Sequence, residues 1–176
     1  MWYLCGLGSN IDPVNNLPRA LDSLVRRLGR LRVSPVVVTR PQGIDTERDF
    51  FNALVVLQSP LPVAALKAWF NRIEAELGRD RSDPDSSRKD RPIDIDILEV
   101  SEHGPLTGDA VEEDYFRRLL EGRVRPDEVR RVALGDGRLG EATATVHWDH
   151  GTGHEIVVDQ RQGLLDHTFE TAFPGQ

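Results

Sequence analysis

Strand, helix, strand, strand, helix, strand is the order of elements that hydropathy periodicity predicts over residues 1–98. It makes this an α+β chain with a ferredoxin-like βαββαβ core, an antiparallel sheet with both helices on one face. Two stretches carry the helices, because apolar residues recur at three- and four-residue spacing over 17–28 and 65–77. Short runs of strand type surround them. The last of these runs, Ile93-Asp94-Ile95-Asp96-Ile97, alternates with the period of two that belongs to a β-strand.

The first strand is the apolar run Trp2 to Leu7, which breaks at Gly8-Ser9-Asn10. Gly6 and Gly8 lack the spacing of a phosphate-binding loop, so a turn is the better reading of this segment. Leu17, Ala20, Leu21, Leu24, Val25 and Leu28 then form one stripe of a helix that Asp12 or Asn15 can cap and Gly29 ends, with Arg26 and Arg27 suiting its last turn. Residues 31–38, rich in valine, predict the second strand, with Pro35 tolerable at an edge or bulge. A polar connection over 39–49 follows, of the kind that carries ligand contacts. Residues 50–57 return as a strand in which Asn52 is the odd polar member, either a backbone cap or a ligand contact. Pro60 and Pro62 open the second helix, whose stripe is Ala65, Leu66, Trp69, Phe70, Ile73 and Leu77, and Gly78 stops it. Beyond the aspartate strand, 111–120 and 126–132 predict short helices, and 142–147 with 154–159 a hairpin. We therefore expect a catalytic core over 1–100 and an extension over 101–176 packed on the same domain.

At 176 residues with a net charge of −7, the chain lacks the basic excess of a nucleic-acid binder. Its one cysteine, Cys5, lies in an apolar run, which fits core packing in a reducing compartment. No stretch approaches the roughly 20 apolar residues that span a bilayer. The expectation is a soluble cytoplasmic protein with small-molecule partners, neither nucleic acid nor membrane.

The chemistry is expected at Asp94 and Asp96. Two apart on a strand, they share one face at roughly 6.5–7 Å, close enough to bridge divalent cations and too close to stay ionised uncompensated. Arg88, Lys89 and Arg91, just upstream, are placed to hold an anion that arrives with the metal. The alternative is an amphipathic edge strand with two solvated acids, although aspartate is a poor strand former. His147, His150 and His154 lie close in sequence, but their spacing matches no zinc pattern and a solvated turn explains them.

Taken together, Gly-Leu-Gly-Ser-Asn at 6–10, Thr39 to Gly43, Asp-Phe-Phe-Asn-Ala at 49–53, Arg-Ile-Glu at 72–74, Gly-Arg-Asp-Arg at 78–81 and Arg-Pro-Ile-Asp-Ile-Asp-Ile-Leu at 91–98 resemble the 6-hydroxymethyl-7,8-dihydropterin pyrophosphokinases. The resemblance implies transfer of the terminal diphosphate of ATP, the co-substrate, to the hydroxymethyl oxygen of a reduced pterin, in folate biosynthesis. It implies that Asp94 and Asp96 match ligands of two Mg²⁺ ions. Asn52 matches the side chain that reads the pterin edge, Phe50 an aromatic stacked on the ring, and Thr39, Arg40, Pro41 and Gln42 the loop beside it. Asn71 and Glu74 match positions near the nucleotide, and Arg79, Arg81, Arg88 and Arg91 the set that grips the triphosphate.

Two departures stand out. Only Lys89-Asp90 separates Arg88 from Arg91, where the family places a Trp-Gly-Pro, and the Val-Pro-His segment that follows the aspartate strand is missing. Tyr115 and Arg118 are candidates for the nucleotide contacts so lost. Two other readings stay open: another two-metal nucleotidyl or phosphoryl transferase, which has no use for a slot of Phe50 and Asn52, and a catalytically weak pterin- or nucleotide-binding paralogue.

Overall fold

The computed structural model describes residues 1–40, 48–80, 82, 90–158 and 163–166. Strand β1 (Trp2–Ser9) leads to helix α1 (Pro13–Leu28), then β2 (Arg30–Val33), β3 (Val37–Thr39), β4 (Phe50–Gln58), α2 (Val63–Glu76) and β5 (Asp94–Ser101). After these come α3 (Asp114–Leu120), β6 (Val132–Leu134), β7 (Gly137–Leu139), β8 (Ala144–Asp149) and β9 (Gly153–Val158). The main sheet runs β5-β1-β4-β2-β8-β9, with β3 also on β4, and β1 lies antiparallel to both β4 and β5. Its first four strands have the ferredoxin-like order. No helix among the described residues is long and apolar enough to cross a membrane.

Alternation along the strands decides the two faces. Cys5, Leu7, Ala53, Val55, Leu57 and Ile95 point to α1 and α2, where Leu17, Leu21, Leu24, Phe70 and Ile73 complete a core. Leu4, Leu54 and Val56 point the other way and are covered by Leu106, Val111, Phe116, Leu119 and Leu164. Thus residues beyond 100 do not stand apart from the sheet. Val132, Leu134, Leu139 and Val146 enter the helix-side core, and β8 pairs with β2 from Arg30↔His147 to Val33↔Ala144.

Four expectations are corrected. The strand expected over 31–38 is broken into β2 and β3, because Val33 faces Val55 while Val37 faces Asn52, which leaves one extra residue on the β2–β3 side. The Ser34 hydroxyl accepts the Leu54 N–H at 2.8 Å, while Val36 donates to the Gly140 carbonyl and accepts from the Arg130 N–H, both at 2.8 Å. The chain therefore bulges at Pro35 and is held there by the C-terminal half. The helix expected over 111–120 begins only at Asp114, since Val111 turns into the core at 3% exposure. The helix expected over 126–132 is one 3₁₀ turn, Pro126–Glu128, after which Val129 bridges to Val37. Finally, the turn expected at 8–10 starts late: β1 continues through Ser9, so Gly6 and Gly8 are strand residues.

Candidate active site

Three strands meet to make the site. Across β4, β1 and β5, Asn52 pairs with Gly8 and Gly8 with Asp94, while one step along Leu54 pairs with Gly6 and Gly6 with Asp96. Paired residues project to the same side of a sheet, so the acids and Asn52 stand on one face with only glycine between them. Neighbouring strands lie about 4.8 Å apart, which puts the Asn52 and Asp94 backbones roughly 9–10 Å apart across a bare strip. Side chains on that strip would fill the site: a Cβ at Gly8 would fall 2.8 Å from Asn52 Oδ1, and one at Gly6 2.6 Å from the Phe116 ring. Gly8→Ala should therefore leave a folded protein whose Asn52 amide is displaced, weakening any ligand that amide reads, as direct titration would show.

The resulting cleft, with about 110 Å³ of free volume, is lined by Gly6, Gly8, Thr39, Arg40, Phe50, Asn52, Arg91, Asp94, Asp96 and Tyr115. Phe50 and Asn52 both face it because they are two apart on β4. Asn52, only 5% exposed, donates through Nδ2 to the Thr39 hydroxyl, and its Oδ1 faces Gly8. It is no backbone cap. Arg91 stands with its guanidinium 6.0 Å from the Phe50 ring centroid.

Electrostatically, the acid pair is split. Asp94 Oδ1 accepts from Arg79 Nη1 at 2.6 Å and Oδ2 lies 3.3 Å from Arg91 Nη1. Burial alone would raise the Asp94 pKa, but the Arg79 hydrogen bond, a hydrogen bond shared with Asp96 and the charge of Arg91 outweigh it and hold the carboxyl below its usual range. Asp96 is pushed up to about 7, first by partial burial and then by the Asp94 charge beside it. The Tyr115 hydroxyl is pushed up to about 12 by burial, with Glu113, Asp94 and Asp96 adding to it. One proton is thus shared where two carboxylates crowd, and a cation would take its place. The donors are hard oxygens, and among the described residues no third carboxylate, cysteine or histidine completes a cage around them. That suits Mg²⁺, which keeps several waters and binds through one or two carboxylates plus phosphate oxygens.

The model of the 7,8-dihydro-6-hydroxymethylpterin-pyrophosphokinase family matches residues 4–120. The chain belongs to this pyrophosphokinase family. Among its relatives, a Porphyromonas gingivalis protein named 2-amino-4-hydroxy-6-hydroxymethyldihydropteridine pyrophosphokinase is 42% identical over 94 residues, 52% of this chain and 64% of the relative. Proteins of that name from Campylobacter jejuni and Helicobacter pylori are each 30% identical, over 105 residues (56% of this chain, 63% of the relative) and over 96 residues (53% and 58%). The chain spans 58–64% of the length of these curated relatives.

Of the candidate site residues, Thr39, Arg40, Phe50, Asn52, Arg91, Asp94, Asp96 and Tyr115 line the cleft, with Arg79 reaching it through Asp94. Pro41, Gln42, Arg81 and Arg88 lie outside the described residues. Three others fall elsewhere. Arg118 lines an adjoining pocket with Thr39, Arg40 and Tyr115, where both Glu128 oxygens accept from it at 2.6 and 2.7 Å. Glu74 is wholly buried and is not among the residues lining the cleft. Asn71 sits half-buried on α2 and is not among the residues lining the cleft.

Sequence reasoning missed Glu113 and Phe116, which also line the cleft, and Asn10. The last closes the site's far end: Arg91 N–H donates to Asn10 Oδ1 at 2.8 Å, Asn10 N–H to the Arg91 carbonyl at 3.1 Å, and Asn10 Nδ2 to Asp90 Oδ1 at 2.9 Å. Its place directly after a strand, where an amide can bridge two backbones, was the available signal.

Proposed function

We propose that this chain transfers the terminal diphosphate of ATP to the hydroxymethyl oxygen of 6-hydroxymethyl-7,8-dihydropterin, leaving AMP, as a step of folate biosynthesis. The observation that carries the reading is the row Asn52, Gly8, Asp94, which sets an amide-reading side chain and an acid pair on one face with open strand between. In this reading Asn52 bonds the amide-like edge of the pterin, Phe50 stacks on its ring, and Thr39 and Arg40 close the side. The hydroxymethyl group then points toward Asp94 and Asp96. Two Mg²⁺ ions held there would neutralise the charge on the moving phosphoryl oxygens and bring the pterin hydroxyl into line. Arg91 and Arg79 border that position and supply fixed positive charge to the triphosphate, arginine to phosphate being a strong charge-assisted pair. Tyr115, which also lines the cleft, would contact the nucleotide. The reading puts the enzyme in the cytoplasm, where ATP is made and where buried Cys5 stays reduced.

The test is incubation with ATP, Mg²⁺ and the reduced pterin. AMP should appear in step with pterin diphosphate; ADP, or AMP without pterin, would point to another phosphoryl transferase. In the same series Asn52→Ala should weaken pterin binding by about 1–3 kcal/mol, the cost of an unpaired polar edge, and leave the affinity for a non-hydrolysable ATP analogue almost unchanged. Equal losses for both ligands would make Asn52 a structural amide.

A further inference from the structure

A carboxylate with no exposure to water is expensive unless cations and hydrogen bonds surround it. Glu74, near the end of α2, is such a group at 0% exposure. Its Oε1 accepts the Ile95 N–H at 3.0 Å, and its Oε2 accepts from Arg79 Nη1 at 3.1 Å. That same Arg79 nitrogen donates to Asp94 Oδ1 at 2.6 Å. One buried acid therefore holds both the strand that carries Asp94 and Asp96 and the arginine that borders them. Gly78 lets this happen: at a φ of +107° it turns the chain out of α2, and Arg79 N–H returns to the Glu74 carbonyl at 3.0 Å. The Arg79 side chain is left 7% exposed, fixed at the cleft edge with little rotamer freedom to lose.

We propose that Glu74 is a positioning residue, which presets Arg79 as an anion-gripping charge beside the acid pair and touches no ligand itself. The inference rests on the diphosphate-transfer reading of the cleft and adds to it a cause for the placement of one arginine. An apolar pair of similar volume would hold the end of α2 to β5 at least as well, since desolvating two ions is costly. What an apolar pair would lack is a cation already aimed at the place where phosphate oxygens arrive, and preset charge acts without reorganisation. In this arrangement the Arg79 cation is held between Glu74 Oε2 at 3.1 Å and Asp94 Oδ1 at 2.6 Å, already at the acid pair.

The experiment is a double-mutant cycle on Glu74→Gln and Arg79→Ala, read by calorimetric titration of a non-hydrolysable ATP analogue with Mg²⁺ and, separately, of the pterin. Glutamine keeps the volume and an acceptor for the Ile95 N–H but turns an amide toward Arg79. Glu74→Gln should lower nucleotide affinity about tenfold or more, the scale of a hydrogen bond to a charged group, and leave pterin affinity within about twofold. Added to Arg79→Ala it should cause no further loss, because both act through one group. Independent losses that multiply, or equal losses of nucleotide and pterin, would make Glu74 a merely structural acid and overturn the proposal. If Arg79→Ala alone unfolds by stranding the buried Glu74 charge, the double variant, which removes both charges, restores the fold and is compared with Glu74→Gln: equal affinities support the proposal and a further fall overturns it. A wild-type chain that does not bind the analogue overturns it too. Wild type that binds the analogue but makes no AMP from ATP and pterin ends the diphosphate-transfer reading and leaves the cycle to decide this one.

Discussion

Asp94→Asn and Asp96→Asn are each expected to lower Mg²⁺-dependent diphosphate transfer by on the order of 100-fold or more, since on the proposed function each would take away a metal ligand worth several kcal/mol of charge stabilisation. The metal-free proteins should respond to pH in opposite senses. Asp96 holds its proton up to about pH 7, far above its value in an unfolded chain. The stability this lends is complete below the ordinary carboxylate range and is lost as pH rises through about 7. Metal-free wild type should therefore melt lower at pH 8 than at pH 5, and Asp96→Asn should flatten that dependence. Asp94, held below its usual range by Arg79 and Arg91 against the effect of burial, contributes stability above that range and loses it in acid. Asp94→Asn should melt lower than wild type at neutral pH, having taken the carboxylate charge from beside Arg79 and Arg91. Thermal melts across pH 4–9, with and without Mg²⁺, check both, and an Asp96→Asn protein that unfolds at neutral pH without metal would mean that the acid is a structural ion-pair partner.

A chain cut after residue 100 is expected not to fold, although it keeps the whole βαββαβ series. It would lose Val132, Leu134, Leu139 and Val146 from one core and Leu106, Val111, Phe116, Leu119 and Leu164 from the other. At about 1.5–3 kcal/mol for each fully buried side chain, their sum of about 14–27 kcal/mol matches or exceeds the roughly 5–15 kcal/mol by which a domain is stable. The cut would also open the edge of β2 that pairs with β8, inviting aggregation. Circular dichroism of residues 1–100 should show no cooperative melt; a sharp transition would mean that the later half is an appendage.

The acid pair was legible because period two is a local property: Ile93, Ile95 and Ile97 fix which way Asp94 and Asp96 point, whatever packs nearby. The helices α1 and α2 were legible for the same reason. What escaped depends on partners far along the chain. The break at Pro35 is decided by backbone bonds to Arg130 and Gly140, and no pattern within 31–38 announces them. The β6–β7 hairpin, Val132-Ala-Leu-Gly-Asp-Gly-Arg-Leu139, has too few β-branched residues to declare itself. Gly8 looked like the start of a turn because glycine often marks one, whereas here an empty strand face is the requirement. Glu74 was expected near the nucleotide, and only the arrival of Arg79 and Ile95 makes it interior.

The bare strip along Gly6 and Gly8 also acts as a ruler. Strands in a sheet cannot change their spacing, so the gap from Asn52 to Asp94 is set at two inter-strand steps, roughly 9–10 Å, by backbone hydrogen bonds rather than by side chains that could yield. A molecule gripped at one end by Asn52 presents its other end to the acids only if it has the matching length. Shorter ones stop before the acids, and longer ones do not fit between the two ends. Selection by length here costs no loop movement, and no substitution confined to the walls would recalibrate it.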